Sequence, residues 1–221
     1  MKSANLRTCS VLLSSTIVGL AMLVTTLDAK AVIILSNLPG SSDYTGDYQF
    51  LSTTRWEAIG LQMSSTAMTF SSLEGYFGNS HFVSNYTLEG GIYDDNLGKP
   101  GSLLAAFTQV TVPRLTTATH YSLATASAYD LVAATTYWFV VKDVGGLSWY
   151  RDTVNTVPTP APGYTYNGYM ITYDSGSTWG ADTSGNWTVQ IQVVPEPGSV
   201  ALMLAGAGCL SLCHRSRCKQ Q

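Results

Sequence analysis

Apolar and polar positions alternate strictly in Trp187-Thr188-Val189-Gln190-Ile191-Gln192-Val193. Successive side chains of a strand point to opposite faces, so Trp187, Val189, Ile191 and Val193 share one apolar face. Thr136-Tyr137-Trp138-Phe139-Val140-Val141 shows no alternation and predicts a strand buried on both faces. Further strands are predicted over 56–63, 68–77, 86–93, 103–112, 120–126 and 164–173. Turn formers separate them: Gly78-Asn79, Gly98-Lys99-Pro100-Gly101, Gly145-Gly146 and Ser184-Gly185-Asn186. No segment carries a helical period. Eight or more short strands with punctuating turns predict an all-β domain, a β-sandwich of jelly-roll type.

The two ends follow other patterns. Lys2 and Arg7 precede an uncharged run from Thr8 to Leu27, which closes on Ala29-Lys30-Ala31. A basic lead, an apolar helical centre and a small-residue exit describe a secretory signal peptide over 1–31. Such a segment engages the Sec translocon and is removed by signal peptidase. About twenty uncharged residues could also remain as a membrane anchor. The Ser and Thr residues that dilute the run, and the small side chains of Ala29 and Ala31, favour cleavage after Ala31.

The other end, 195–221, has three parts. Pro195-Glu196-Pro197 cannot join a helix or a central strand, so it forms an extended, protease-readable segment. An apolar run over about 199–213 follows, and a helix of that length reaches roughly 20–25 Å. That is short of a bilayer core of about 30 Å, so it spans only with thinning or with help from its flanks. Arg215, Arg217 and Lys219 form a basic tail that favours the cytoplasmic side.

This arrangement resembles the PEP-CTERM sorting signal of exported proteins from exopolysaccharide-making Gram-negative bacteria. The resemblance implies that Pro195, Glu196 and Pro197 are recognised by an exosortase-type transpeptidase. It also implies a transient inner-membrane anchor, followed by transfer to the cell surface or extracellular matrix. The apolar stretch is shorter than the pattern suggests, and Cys209, Cys213 and Cys218 decorate it. Those cysteines are lipidation sites or small apolar residues, and the second reading is preferred.

Composition sharpens the division. Only 11% of the 221 residues are charged, against about 25% in an average domain, while 45% are hydrophobic. The net charge is −3, but residues 32–194 carry five basic and twelve acidic side chains, a net of −7. An acidic exported domain has no footprint for nucleic acid. It also contains no cysteine, as suits an oxidising compartment. About 160 residues can bury a core without disulfides.

Within 32–194, Gly91-Ile92-Tyr93 followed by Asp94-Asp95-Asn96-Leu97-Gly98-Lys99-Pro100-Gly101-Ser102-Leu103-Leu104, with Thr135-Thr136-Tyr137-Trp138-Phe139-Val140-Val141 further on, resembles the choice-of-anchor R domain. That family is paired with PEP-CTERM and other anchors, and the resemblance implies anchoring rather than a defined activity.

Candidate chemistry is sparse. His81 and His120 each begin a predicted strand, outside any triad or metal motif, and are read as surface or cap positions. No cofactor is implied, and no catalytic residue is assigned. Asp94, Asp95 and Asn96 offer oxygen ligands that suit Ca²⁺, yet the segment lacks the terminal glutamate of an EF-hand loop and also reads as a plain turn. Trp149, Tyr150, Tyr164, Tyr166, Tyr169 and Trp179 lie in glycine-rich or polar segments and are candidates for stacking on sugars. Trp138 and Trp187 sit in apolar patterns and are assigned to the core. The reading is a non-enzymatic, exported protein with a structural or adhesive role toward extracellular polysaccharide. The alternatives are a carbohydrate-binding module and a carbohydrate-active enzyme, the latter needing two acids that face each other in a groove.

Overall fold

The computed structural model describes residues 30–38, 47–79, 84–151 and 155–195. Most of the signal peptide with Ala29, the sorting residues Glu196 and Pro197, the apolar run, the basic tail and His81 lie outside the described residues. Ala31–Val194 form one compact unit. No helix occurs among the described residues, and the unit consists of two antiparallel sheets.

In the first sheet, β1 (Val32–Ser36) lies beside β15 (Gln190–Pro195), β15 beside β4 (Met68–Gly78), and β4 beside β8 (Thr119–Leu123). Short strands extend it: β2 (Tyr48–Phe50), β9 (Tyr129–Leu131), β11 (Ser148–Tyr150) and β12 (Thr159–Pro160). In the second sheet the central order is β3 (Trp56–Gln62), β10 (Thr136–Asp143), β5 (Tyr86–Asp95), β6 (Pro100–Ala106). Strand β13 (Thr165–Thr172) flanks β3 and carries β14 (Gly180–Ala181), and β7 (Val110–Val112) pairs with β5 beyond β6.

One core is shared by both sheets. Ile34, Leu73, Phe77 and Ile191 of the first sheet pack in one cluster with Ile59, Leu61, Ile92 and Phe139 of the second. Strand β10 is buried on both faces, as its unbroken apolar run predicts. Tyr137, Phe139 and Val141 join the shared core, whereas Trp138 and Val140 form a second cluster with Ala58 on the opposite face. Trp138 is therefore buried, as assigned, but outside the shared core. Its ring lies against Gly60, where an added Cβ would come within 2.8 Å of it.

Several predicted bounds shift for local reasons. The Trp187–Val193 pattern buries all four apolar residues, yet β15 begins only at Gln190. At its other end β15 takes in Pro195, against the expectation that this proline stays out of a central strand; it is the last residue, beyond Val193, the final residue paired to β1. Upstream of Gln190, side-chain bonds supplement isolated backbone bonds from Asn37 N to Val189 O and from Thr188 N to Tyr150 O. Asn37 accepts from Val189 N at 2.7 Å and donates to Trp187 O at 3.0 Å, and Thr188 Oγ1 donates to Tyr150 O. The stretch predicted as one strand over 103–112 is split into β6 and β7. Buried Phe107 bridges to Thr125 instead, and Thr108 N donates to Ala124 O. Strands β1, β2, β9, β11, β12 and β14 were not predicted. Five of them, all but β1, have only two or three residues, too short for a readable alternation.

Candidate functional site

The hairpin between β5 and β6 closes through Leu97 (φ 56°) and Gly98 (φ 79°), with Asn96 N donating to Lys99 O at 2.8 Å. Positive φ at both central residues is what a type I′ turn requires, and it brings Asp94, Asp95 and Asn96 to one end of the sheet. The two aspartates serve the turn. Asp95 Oδ2 accepts from Gly98 N at 3.2 Å, Asp95 Oδ1 accepts from Trp138 Nε1 at 2.8 Å, and Asp94 Oδ1 accepts from Ser102 N. Among the described residues no group of three or more His, Cys, Asp or Glu side chains could hold a metal ion. The structure accounts for these residues as a turn.

Opposite the hairpin stands the connection from β13 to β14. Asp174 organises it: its carboxylate accepts from Thr172 Oγ1 at 2.6 Å, from Thr178 N at 2.8 Å and from Thr178 Oγ1 at 2.6 Å. Those bonds, first with Thr172 and then with Thr178, hold the exposed carboxyl down at about 2, against an ordinary 3.8. The same segment places Trp179 against the outer cluster of Ala58, Trp138 and Val140. Gly176 lies over Trp56, where an added Cβ would sit 2.7 Å from the ring.

Hairpin and connection together enclose an open cleft of about 570 Å³. Asp94, Asp95, Asn96 and Lys99 line one side, with Ser177, Thr178 and Trp179 on the other. Two candidate sets that are some eighty residues apart in the chain thus meet in one place. The other aromatic candidates do not join them. Trp149 is fully buried: its ring packs, tilted, against Phe77 at 5.3 Å and its Nε1 donates to Thr188 O at 2.8 Å. Tyr169 is buried too, donating to Trp187 O at 2.6 Å. Tyr164 and Tyr166 pack, half-buried, against the shared core. Burial and the nearby Asp182 raise the Tyr166 hydroxyl well above its ordinary value. Tyr150 is half-buried beside Tyr48. The glycine-rich flanks of Trp149 do not expose it, because Asp143 gathers Gly145, Gly146 and Leu147 into a tight turn beneath the sheet.

His120 is on the surface, its Nε2 3.2 Å from Glu74 Oε2 and its ring beside Tyr76. Glu74 also accepts from Gln190 and Gln192, which makes it a cross-strand clasp on the outside of the first sheet.

A second cleft of about 490 Å³ adjoins the first through Thr178 and is lined by Arg55, Tyr173 and Asp182 among others. Near it, Glu57 is fully buried, with neither carboxyl oxygen in hydrogen-bond geometry to a donor. Burial, and then the negative charge of Asp182, push Glu57 up to about 9. Glu57 therefore holds a proton at neutral pH. Glu57 lines neither cleft.

Sequence reasoning missed Asp174, Ser177 and Thr178. The signal was present in Asp174-Ser175-Gly176-Ser177-Thr178-Trp179, an acid followed by hydroxyl residues and glycine, which is a self-bonding turn leading into an aromatic. No family model matches the chain, and no curated protein matches it.

Proposed function

We propose that this chain is an exported, non-enzymatic surface or matrix protein that adheres to extracellular polysaccharide through the Trp179 cleft. The observation that carries this reading is the pairing of one firmly seated indole with a wall of fixed oxygen acceptors and hydroxyl groups. Sugars are recognised in this way, an aromatic face taking the C–H side of the ring while polar groups take its hydroxyls. The sequence of the two ends supports export, with removal of 1–31 and sorting through Pro195, Glu196 and Pro197 by an exosortase-type enzyme. We read the sandwich as a jelly roll, supported by the orders β1-β15-β4-β8 and β3-β10-β5-β6, in which the strands in chain order cross between sheets except at the β5–β6 hairpin.

The test is affinity electrophoresis of the full chain in gels containing extracellular polysaccharide. The reading expects retardation that Trp179→Ala abolishes. Equal mobility with and without polysaccharide overturns it.

A further inference from the structure

Resting on that reading, we infer that the Trp179 cleft selects an uncharged hexopyranose chain and rejects a polyuronate. Three observations converge on it. The charged side chains lining the cleft are Asp94, Asp95 and Lys99, two negative against one positive. The two carboxylates cannot swing away from an approaching anion. Asp95 is held at both oxygens, by Trp138 Nε1 and Gly98 N, and Asp94 is held by Ser102 N. A carboxylate has about four lone-pair sites, so each retains acceptor capacity for a sugar hydroxyl. A neutral chain supplies such donors at every ring, whereas a uronate brings a second carboxylate to the same wall.

The seating of Trp179 points the same way. Its ring rests on a packed apolar cluster, so the platform is rigid before any ligand arrives. Gly101 extends the design on the hairpin side, because any Cβ there would collide with Asp94 Oδ1. That carboxylate oxygen therefore lies close to the backbone of Gly101. At longer range, five basic and twelve acidic residues over 32–194 repel polyanions before contact. Lys99 is the one attraction available to a uronate in the cleft wall, and it is exposed at the hairpin tip, where salt screens it.

The experiment is calorimetric titration of the full chain with neutral chains (laminarin, dextran and galactomannan) and with alginate, at low and physiological salt. At least one neutral chain is expected to bind at least about tenfold more tightly than alginate, since like charges placed together in a binding site cost several kcal/mol. The neutral affinity is expected not to move with salt. In Asp94→Asn, whose one amide oxygen can still accept from Ser102 N, the preference over alginate narrows while the unfolding midpoint holds. Alginate bound as tightly as every neutral chain, or more tightly, overturns the inference and leaves the polysaccharide reading standing. Binding of no polysaccharide at all overturns both.

Discussion

The indole Nε1 of Trp138 donates a 2.8 Å hydrogen bond to Oδ1 of Asp95. That contact joins the outer face of the second sheet to the wall of the cleft. Trp138 is also packed with Ala58 and Val140, the cluster on which Trp179 rests. One buried ring therefore positions both sides of the candidate site, although it does not line it.

Trp138→Phe keeps most of the apolar contact and removes the donor. Loss of a hydrogen bond to a carboxylate costs about 1.5–3 kcal/mol. Denaturant unfolding is expected to show that loss. Polysaccharide affinity is expected to fall as well, because Asp95 loses one of its two anchors. A variant of unchanged stability and affinity would remove Trp138 from the site.

Asp174 plays the same positioning part on the other wall. Asp174→Ala releases Thr172 and Thr178 and loosens the segment that carries Trp179. The expected result is a severalfold loss of polysaccharide affinity that Asp174→Asn partly restores. The carboxyl is held at about 2, so its contribution is present above the unfolded value of 3.8 and disappears as pH falls toward 2. Affinity measured between pH 5 and 8 is expected to be flat in this respect.

Glu57 gives a pH dependence of the opposite sign. Its native value of about 9 lies above the ordinary 4.5, so between those limits the folded chain keeps a proton that the unfolded chain releases. Stability therefore falls as pH rises through that window, by up to about 1.4 kcal/mol per pH unit. Glu57→Gln is expected to remove the slope and to be more stable than the parent at pH 8. Denaturation midpoints at pH 5, 7 and 9 check both statements.

Asp143 tests the fold rather than the site. Its buried Oδ2 accepts from the amides of Gly145, Gly146 and Leu147. Asp143→Ala leaves three donors without that acceptor, a cost of about 3 kcal/mol, or roughly 6–12 °C in a domain of this size. Asp143→Asn keeps an acceptor oxygen and is expected to lose less by calorimetry.

Much of the architecture was legible in the sequence because long strands carry their own periodicity. Strand β10 reads as doubly buried, and the face of Trp187, Val189, Ile191 and Val193 is the face that packs. The two-residue strands were hidden by their length, and the start of β15 was hidden because the bonds upstream of Gln190 go to Asn37 and Tyr150, positions distant in the chain. The cleft was half legible. Asp94, Asp95, Asn96 and Trp179 were each singled out, but only strand order brings them together. Trp149 misled because a glycine-rich flank looks exposed. Its burial depends on the space at Gly75, where an added Cβ would stand 3.1 Å from the indole nitrogen.

The proposed route to the surface has its own check, mass spectrometry of the chain recovered from cells with and without the sorting protease. The expected mature form begins at Val32 and ends near Pro195–Pro197. Retention of residues beyond Pro197 at the destination contradicts the processing.

Hydroxyl-radical footprinting reads whether polysaccharide lies on Trp179. Full-length protein is oxidised with and without a saturating neutral polysaccharide, and each tryptophan is quantified. Trp179 is expected to become protected while buried Trp149 and Trp187 stay unreactive in both samples. Equal oxidation of Trp179 with and without polysaccharide would contradict that placement.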